Sequence, residues 1–471
     1  MKSQEGKNMD NNRYVKEKII LYFFKIFITL AFSGSLSHIW LEFYNKYIPT
    51  PFYRLGNYFL AALFIVVYVA FVKVYGGFMV GTSTVVDLIF SQIIAIGFLE
   101  GFCYVIFSLL SYKLVSPLPF ILMFFAFSLF AALWCFAADY VYFRLHKPRK
   151  TVVLFGNLES YSSLKGVRTM EKRFNVVRTF NCEKTPLKEF FESIKNINAV
   201  FLCGVPSDYR NEVVKYCIAN GKVVYIKPKI SDTIIRGGRT IQLMNVPVYR
   251  CKRADDSNLI YHLIKRVADI VLSFIAIIIS SPFMLVTAIA IKAYDGGDVL
   301  YKQVRLTKNG KEFKIYKFRS MIQNAEKDGV ARLAGEHDDR ITPVGKIIRK
   351  LRLDELPQLF NIFKGDMSFV GPRPERPEIA VQYEKDMPEF ALRLQVKAGL
   401  TGYAQVYGKY NTPPYDKVQM DLMYIANQSI LEDLKLMLMT FKILFIPSST
   451  EGVDENQKTA LKESSEEVTD E

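Results

Sequence analysis

The chain has 471 residues, 50% of them hydrophobic, with 37 Phe and 27 Tyr, and its 61 Lys and Arg outnumber 46 Asp and Glu to give a formal net charge of +15. That length allows roughly three domains. The apolar residues cluster before Lys147 and again between Val267 and Ile291, which argues against an ordinary soluble protein, and the basic balance favours anionic partners such as a phospholipid surface or a nucleotide.

The six cysteines (Cys103, Cys135, Cys182, Cys203, Cys217, Cys251) show neither C-x-x-C nor zinc-ligand spacing, and the four histidines (His38, His146, His262, His337) are scattered. A disulfide framework and a histidine metal cluster are therefore not expected, and Cys103 and Cys135 read as small buried hydrophobes. No cleavable leader is expected either, because the first apolar run lacks a small-residue cleavage site and is followed by further spans.

Four apolar runs, near Ile19 to Leu36, Tyr58 to Val72, Val85 to Tyr112 and Leu118 to Phe136, approach the length of about 20 residues that a membrane helix needs. Lys25 and Asp87 lie near span ends, where they snorkel, whereas Glu100 is mid-span and is expected to face a partner helix. An even number of spans leaves both flanks on one side. Lys2, Lys7, Arg13, Lys16 and Lys18 precede the first, and Arg144, Lys147, Arg149 and Lys150 follow the last, so both flanks are expected in the cytoplasm.

From Thr151 the pattern changes to short β-branched runs, at 151–155, 174–177, 199–202 and 223–226, alternating with helical stretches at 187–197 and 208–219, the second closed by Gly221. That alternation predicts a parallel, doubly wound sheet ending near Val248. The first turn reads Gly156-Asn157-Leu158-Glu159-Ser160 instead of G-x-G-x-x-G, so a Rossmann-like domain without a dinucleotide is expected, in a regulatory or scaffolding role.

After a polar connection (252–258) come Lys265-Arg266-x-x-Asp269 and an apolar stretch from Ile270 to Ile291 holding Ser280-Ser281-Pro282. Proline removes a helical hydrogen bond and crowds the preceding turn. Either the stretch is a fifth span, or it breaks at Ser281-Pro282 and turns back, the serine hydroxyls satisfying the freed backbone. The turn-back form is favoured if the remainder uses a cytoplasmic nucleotide. Beyond it, 298–445 reads as mixed helix and loop, Met437 to Ile446 as a core or interfacial helix, and the acidic segment from Glu451 as a disordered tail.

Leu351-Arg352-Leu353-Asp354-Glu355-Leu356-Pro357-Gln358 places two adjacent carboxylates among cations. Ile347, Ile348, Leu351, Leu356, Leu359 and Phe360 recur at helical offsets, so a helix with one buried face is expected here, broken by Pro357. Adjacent acids are most often solvated surface charge. With Arg349 upstream, Lys314-Ile315-Tyr316-Lys317-Phe318-Arg319-Ser320-Met321 before them and Gly371-Pro372-Arg373-Pro374 after them, chemistry on a phosphate becomes the better reading. The flanking prolines present Arg373 with little entropy left to lose, and a guanidinium suits phosphate.

From about Lys265 to Phe445 the chain resembles the bacterial sugar transferases, the monotopic polyprenyl-phosphate phosphoglycosyl transferases. The resemblance rests on Lys265-Arg266-x-x-Asp269, Ser281-Pro282, Gln303-x-Arg305, Lys317-Phe318-Arg319-Ser320-Met321, Leu353-Asp354-Glu355-Leu356-Pro357-Gln358-Leu359, Asn361, Lys364-Gly365-Asp366-Met367-Ser368, Val370-Gly371-Pro372-Arg373-Pro374 and Lys397-Ala398-Gly399-Leu400-Thr401-Gly402-Tyr403-Ala404-Gln405. The preceding spans and Rossmann-like domain look like the long-form members, such as undecaprenyl-phosphate glucose or galactose phosphotransferases. The family often has Pro at Ala398, Trp at Tyr403 and Asn-Gly-Arg near Tyr407-Gly408-Lys409; these departures put the identity of the sugar in doubt.

The resemblance implies a membrane protein of α/β class: four N-terminal transmembrane helices (1–147), a Rossmann-like domain (148–250), a mainly helical monotopic catalytic domain (259–447) with a re-entrant membrane helix (265–292), and an acidic tail (448–471). It implies Asp354 as nucleophile towards the β-phosphate of a UDP-sugar, with undecaprenyl phosphate as acceptor. Glu355 would place Mg²⁺ together with Asp354, or handle protons. Arg349, Lys317, Arg319, Pro372, Arg373, Pro374, Arg376, Thr401 and Gln405 would line the phosphate and nucleotide pocket. Lys265, Arg266, Asp269, Ser281 and Pro282 would form the re-entrant helix. A homodimer in the bacterial inner membrane, catalytic domain inward, is the implied setting, with no nucleic-acid partner.

Two rivals carry different signatures. A membrane-tethered nucleotide-sugar epimerase or dehydratase needs a Gly-rich fingerprint after the spans, which is absent, and a Tyr-x-x-x-Lys pair; Tyr261 to Lys265 fits that spacing but starts the apolar segment and is discounted. A basic membrane scaffold or nucleic-acid binder predicts tolerance of Asp354→Ala.

Overall fold

A computed structural model of the chain describes residues 2–156, 172–254, 259–323, 340–408 and 412–444, with side chains from 19 to 443 within those ranges. The turn after Gly156, His337, Lys409, the acidic tail and the side chains of the first cationic flank lie outside them. The chain divides into two compact units, Met1–Pro228 and Lys229–Glu471.

The first unit opens with α1 (Lys2–Ile39), α2 (Arg54–Tyr75), α3 (Val85–Leu110) and α4 (Leu118–Leu145), each packed on its sequence neighbour, with α1 also against α4. All four are long and apolar enough to cross a membrane. Their shared interior is aromatic: Trp40 and Phe107 lie 4.5 Å apart, Phe32 and Tyr68 4.7 Å, and Tyr44 stacks on Phe120 at 5.2 Å. Phe23, Phe59, Phe125 and Leu129 instead point outward. So much exposed apolar surface is what a lipid-facing bundle presents. Glu100 turns into the bundle, buried, and its Oε1 has no hydrogen-bond partner among the described residues.

The sheet that follows has the order β2-β1-β3-β4, all parallel: β1 (Arg149–Phe155), β2 (Phe174–Asn181), β3 (Ala199–Cys203) and β4 (Val223–Ile226). Helices α5 (Leu187–Ser193) and α6 (Ser207–Ala219) alternate with the strands. Gly221 takes φ +66° after α6, the left-handed position that glycine fills without a Cβ clash. On one face Val152, Leu154, Val200 and Leu202 pack with Phe190, Val213 and Cys217. The parallel sheet stops at Ile226, short of the expected Val248.

The second unit begins with α7 (Ile230–Arg236), followed by an isolated antiparallel hairpin, β5 (Arg239–Leu243) and β6 (Val246–Arg250). Its two turn residues, Met244 and Asn245, have φ +49° and +67°. This turn with both residues at positive φ joins the two strands directly as an antiparallel pair.

Helix α8 (Leu259–Asp295) is the fifth helix of membrane-crossing length and composition. It does not leave helical conformation at Ser281-Pro282, where a break is expected. Pro282 withholds the N–H that Ile278 O would accept, and the Ser281 hydroxyl donates to that same carbonyl at 2.8 Å. The Ser280 hydroxyl donates to Ala276 O at 2.6 Å. Both halves of the helix pack on the same unit: Ala276 and Ile277 against the cluster of Phe313, Leu359 and Ile362, and Met284 and Ile291 against Phe318 and Ile348.

The remainder supplies the site. A hairpin of β7 (Leu300–Leu306) and β8 (Glu312–Phe318) leads to α9 (Pro343–Lys350), capped by the Thr342 hydroxyl, which accepts from Gly345 N at 2.9 Å. Then come α10 (Gln358–Lys364), β9 (Ser368–Val370), α11 (Pro377–Asp386), β10 (Gly399–Thr401), α12 (Tyr403–Val406), α13 (Pro414–Ala426) and α14 (Ile430–Leu444). β9 and β10 pair in parallel. Asn361 on α10 is fully buried and extends the edge of β8, its Oδ1 accepting from Tyr316 N at 3.0 Å and its Nδ2 donating to Lys314 O at 2.8 Å.

Candidate active site

The carboxylate pair is not on a long helix, as its spacing suggests. Helix α9 ends at Lys350, and Arg352 takes φ 56° and ψ 20°, a left-handed conformation that costs a non-glycine residue about 1 kcal/mol. Asp354 and Glu355 then occupy a single 3₁₀ turn, Leu353–Glu355, before Pro357 opens α10. The expected apolar stripe divides accordingly: Ile348 and Leu359 are buried, while Ile347, Leu351 and Phe360 are exposed.

Glu355 gathers the cations. Its Oε1 accepts from Lys317 Nζ at 3.2 Å and from Arg373 Nη2 at 3.3 Å, and its Oε2 lies 3.8 Å from Arg352 Nη1. Burial alone would raise its pKa, but Lys317, Arg373 and Arg352 hold the carboxyl below the usual range. Asp354 has no hydrogen bond or ion pair among the described residues. Burial, and then the charge of Glu355, raise its pKa against the opposing influence of Lys317, Arg349 and Arg352. Arg349 Nη1 is buried and lacks a hydrogen-bond partner among the described residues. Burial lowers the pKa of Lys317, whereas Glu355 raises that of Arg373.

The loop that carries Arg373 is fixed by backbone contacts. Gly371 N donates to Thr401 O at 2.8 Å and Gly399 N to Pro372 O at 2.9 Å. A Cβ on Gly371 would collide with Lys397 O, one on Gly399 with Gly371 N, and one on Gly402 with Gly371 O. Arg305, a motif residue without an expected role, donates from Nη1 to Pro374 O at 3.2 Å and pairs with Glu375 at 3.3 Å. Burial lowers its pKa to about 10.

Lys317, Arg373 and Glu355 thus meet directly, and Arg349 is a charged neighbour of Asp354. Other expected pocket residues have contacts of their own. Arg319 pairs with Asp295 at the end of α8. The Thr401 hydroxyl accepts from Thr440 at 2.6 Å. Arg376 precedes α11, its backbone N–H donating to Glu375 Oε1 at 3.2 Å. Both side-chain ends of Gln405 are buried without a hydrogen-bond partner among the described residues. The Lys265-Arg266-x-x-Asp269 motif fastens α8 to the unit. Lys265 pairs with Asp433 at 2.7 Å, Arg266 donates to Ile362 O and Phe363 O at 2.8 Å each, and Asp269 Oδ1 accepts from the Ser368 hydroxyl and Phe369 N at 3.1 Å each. Arg266 therefore satisfies carbonyls at the C-terminal end of α10, the negative end of its dipole.

Arg393 and Asp421 escape the sequence reading. They form a buried ion pair of 2.7 Å. Arg393 lies in Leu392-Arg393-Leu394, where nothing separates it from an ordinary amphipathic arginine.

Among the described residues, no three His, Cys, Asp or Glu side chains cluster as a metal cage. Magnesium needs few protein ligands, because waters and substrate phosphates complete its shell. The unengaged Asp354 oxygens and Glu355 Oε2 suit such an ion, whereas Glu355 Oε1 is taken by Lys317 and Arg373.

The family described as bacterial sugar transferase matches residues 260–447. An Aeromonas hydrophila protein named UDP-N-acetylgalactosamine-undecaprenyl-phosphate N-acetylgalactosaminephosphotransferase is 45% identical over 188 residues, 39% of this chain and 44% of the relative. The Escherichia coli (strain K12) UDP-glucose:undecaprenyl-phosphate glucose-1-phosphate transferase is 39% identical over 222 residues, 46% of this chain and 47% of the relative. The chain thus spans about half the length of these curated relatives. A Bacillus subtilis (strain 168) protein, named for undecaprenyl-phosphate N-acetylgalactosaminyl 1-phosphate transfer, is 48% identical over 134 residues, 28% of this chain and 74% of the relative. The chain belongs to the bacterial sugar transferase family.

Proposed function

We propose that the protein transfers a sugar 1-phosphate from a UDP-sugar to undecaprenyl phosphate, as the first membrane step of exopolysaccharide, capsule or O-antigen assembly. The names of the relatives supply the donor and acceptor classes. The observation that carries the reading is the unengaged carboxylate of Asp354 beside cations anchored on Glu355.

An Asp354 oxygen attacks the β-phosphorus of the donor. The bond from that phosphorus to the bridging oxygen breaks, and UMP leaves with the electron pair. An acyl phosphosugar remains on Asp354. A phosphate oxygen of undecaprenyl phosphate then attacks the same phosphorus, the Asp354 carboxylate departs, and undecaprenyl-diphosphate-sugar forms. Arg373, Lys317 and Arg349 offset the negative charge that would otherwise repel the nucleophile. Glu355 holds the first two of these in place. A Mg²⁺ ion on Asp354 and Glu355 would neutralise diphosphate oxygens.

For topology, both halves of α8 pack on one unit, which supports a helix seated on the cytoplasmic side of the inner membrane and not one that carries the catalytic unit across it. The exposed apolar residues Ile347 on α9, Leu351 just after it, and Phe360 and Phe363 on α10 bracket the dyad, and they support a catalytic turn lying at the lipid surface. We assign the four N-terminal helices and the Rossmann-like domain an auxiliary role in a homodimer.

Release of UMP from a panel of UDP-sugars, measured with and without undecaprenyl phosphate, tests the reading and names the sugar. Absence of release from every donor would refute it.

A further inference from the structure

The Pro-Arg-Pro loop cannot hold itself. Pro372 and Pro374 have no N–H, so the carbonyls around Arg373 must be fixed from outside the loop. Arg393 does so. Its Nη2 donates to Arg373 O at 2.8 Å and sits 2.7 Å from Asp421 Oδ2 on α13. The Arg393 guanidinium lies 5.0 Å from the Phe390 ring centroid, and both members of the pair are buried, Arg393 at 6% and Asp421 at 1% exposure. Arg305 grips the next carbonyl, Pro374 O. At the far end of the same residue, the Arg373 guanidinium meets Glu355.

The geometry points to Arg393, with Asp421 as its counter-ion, as a positioning residue for the transfer reaction, setting the Arg373 guanidinium against the Glu355 carboxylate. This inference rests on the transferase reading above for its consequence, though not for its contacts. Asp421 is what makes the grip directional. A buried guanidinium without a counter-ion would be driven towards water, whereas one held by charge beside an Asp421 oxygen on α13 keeps Nη2 turned to the Arg373 carbonyl. Displacement of an anion-binding group by about 1 Å costs on the order of 10²-fold in rate.

The test uses the full-length protein in detergent and the charge-neutral pair Arg393→Gln with Asp421→Asn, which leaves no orphaned buried charge. UMP release is expected to fall at least tenfold in the otherwise wild-type protein and by less than twofold in an Arg373→Ala background, because Arg393 acts through Arg373. Hydrogen exchange at the amides of Gly371, Arg373 and Glu375 is expected to accelerate in the pair variant, with α9 unchanged. Equal losses in both backgrounds, or unaltered exchange in the loop, would overturn the assignment. If the pair variant lacks a cooperative melt, Asp421→Asn alone is put through the same comparison. A wild-type protein that releases no UMP refutes the transferase reading, and the grip is then judged by exchange alone.

Discussion

Glu355 holds the ion pairs of the site and Asp354, its neighbour in sequence, holds none. Lys317 and Arg373 both reach Glu355 Oε1, at 3.2 and 3.3 Å, whereas the oxygens of Asp354 are unengaged among the described residues. Two adjacent acids are thereby given different tasks by their surroundings. One organises the cations, and the other keeps its oxygens clear of partners among the described residues, as the proposed attack requires.

Asp354→Asn is expected to lower transfer by a factor on the order of 10⁴, the scale typical of losing a nucleophile. Intact-mass measurement of wild-type protein quenched with UDP-sugar alone should show a phosphosugar adduct on the peptide containing Asp354. The same adduct in the variant, or activity within tenfold of wild type, would rule the assignment out.

Acid should silence the enzyme early. Asp354 must be ionised to attack, and its pKa is raised, first by burial and then by Glu355. The acid limb of the rate profile should therefore have its midpoint above the ordinary aspartate value of about 3.9. Stability follows the opposite sign at the two acids. The depressed Glu355 contributes stability above its unfolded value of about 4.3, which is lost as pH falls through its lower folded value. The raised Asp354 costs stability at neutral pH and relieves that cost when protonated. Asp354→Asn should thus melt no lower than wild type at pH 7, and a lower melting temperature would contradict the sign.

Chelation should stop turnover. EDTA is expected to reduce UMP release to background and Mg²⁺ to restore it, followed in the same assay. Turnover indifferent to EDTA would remove the ion from the site.

Gly371→Ala should impair folding and not merely catalysis. Its Cβ would strike Lys397 O, a backbone atom that cannot swing away, so a loss above about 2 kcal/mol is expected in a melting experiment. An alanine variant that melts like wild type would show that the loop repacks.

The strands at 151–155, 174–177, 199–202 and 223–226 were legible because β-branched runs bounded by turn residues have few other homes. The 3₁₀ turn was not. It depends on Arg352 adopting a positive φ, and nothing in an arginine signals that. The continuity of α8 was hidden for a related reason. Proline reads as a break unless a hydroxyl happens to reach the right carbonyl, as Ser281 does for Ile278 O. Motif spacing set Lys317, Arg319, Arg373 and Glu355 together without rank, whereas the fold brings Lys317 and Arg373 onto Glu355 and turns the Arg319 side chain to Asp295. Arg393 and Asp421 are 28 residues apart in sequence, and only the folded chain reveals them as partners.

Arg266 has a wider consequence. It belongs to the apolar helix α8, yet its guanidinium closes the final turn of α10, the helix that starts three residues after the dyad ends at Glu355. On the proposed transferase reading, a tilt imposed on α8 by a thicker, thinner or stiffer lipid leaflet would reach the helix that follows the dyad. Lipid composition would then be an input to the rate of transfer, carried by the Arg266 contacts and by the packing of Ala276 and Ile277 against Leu359 and Ile362.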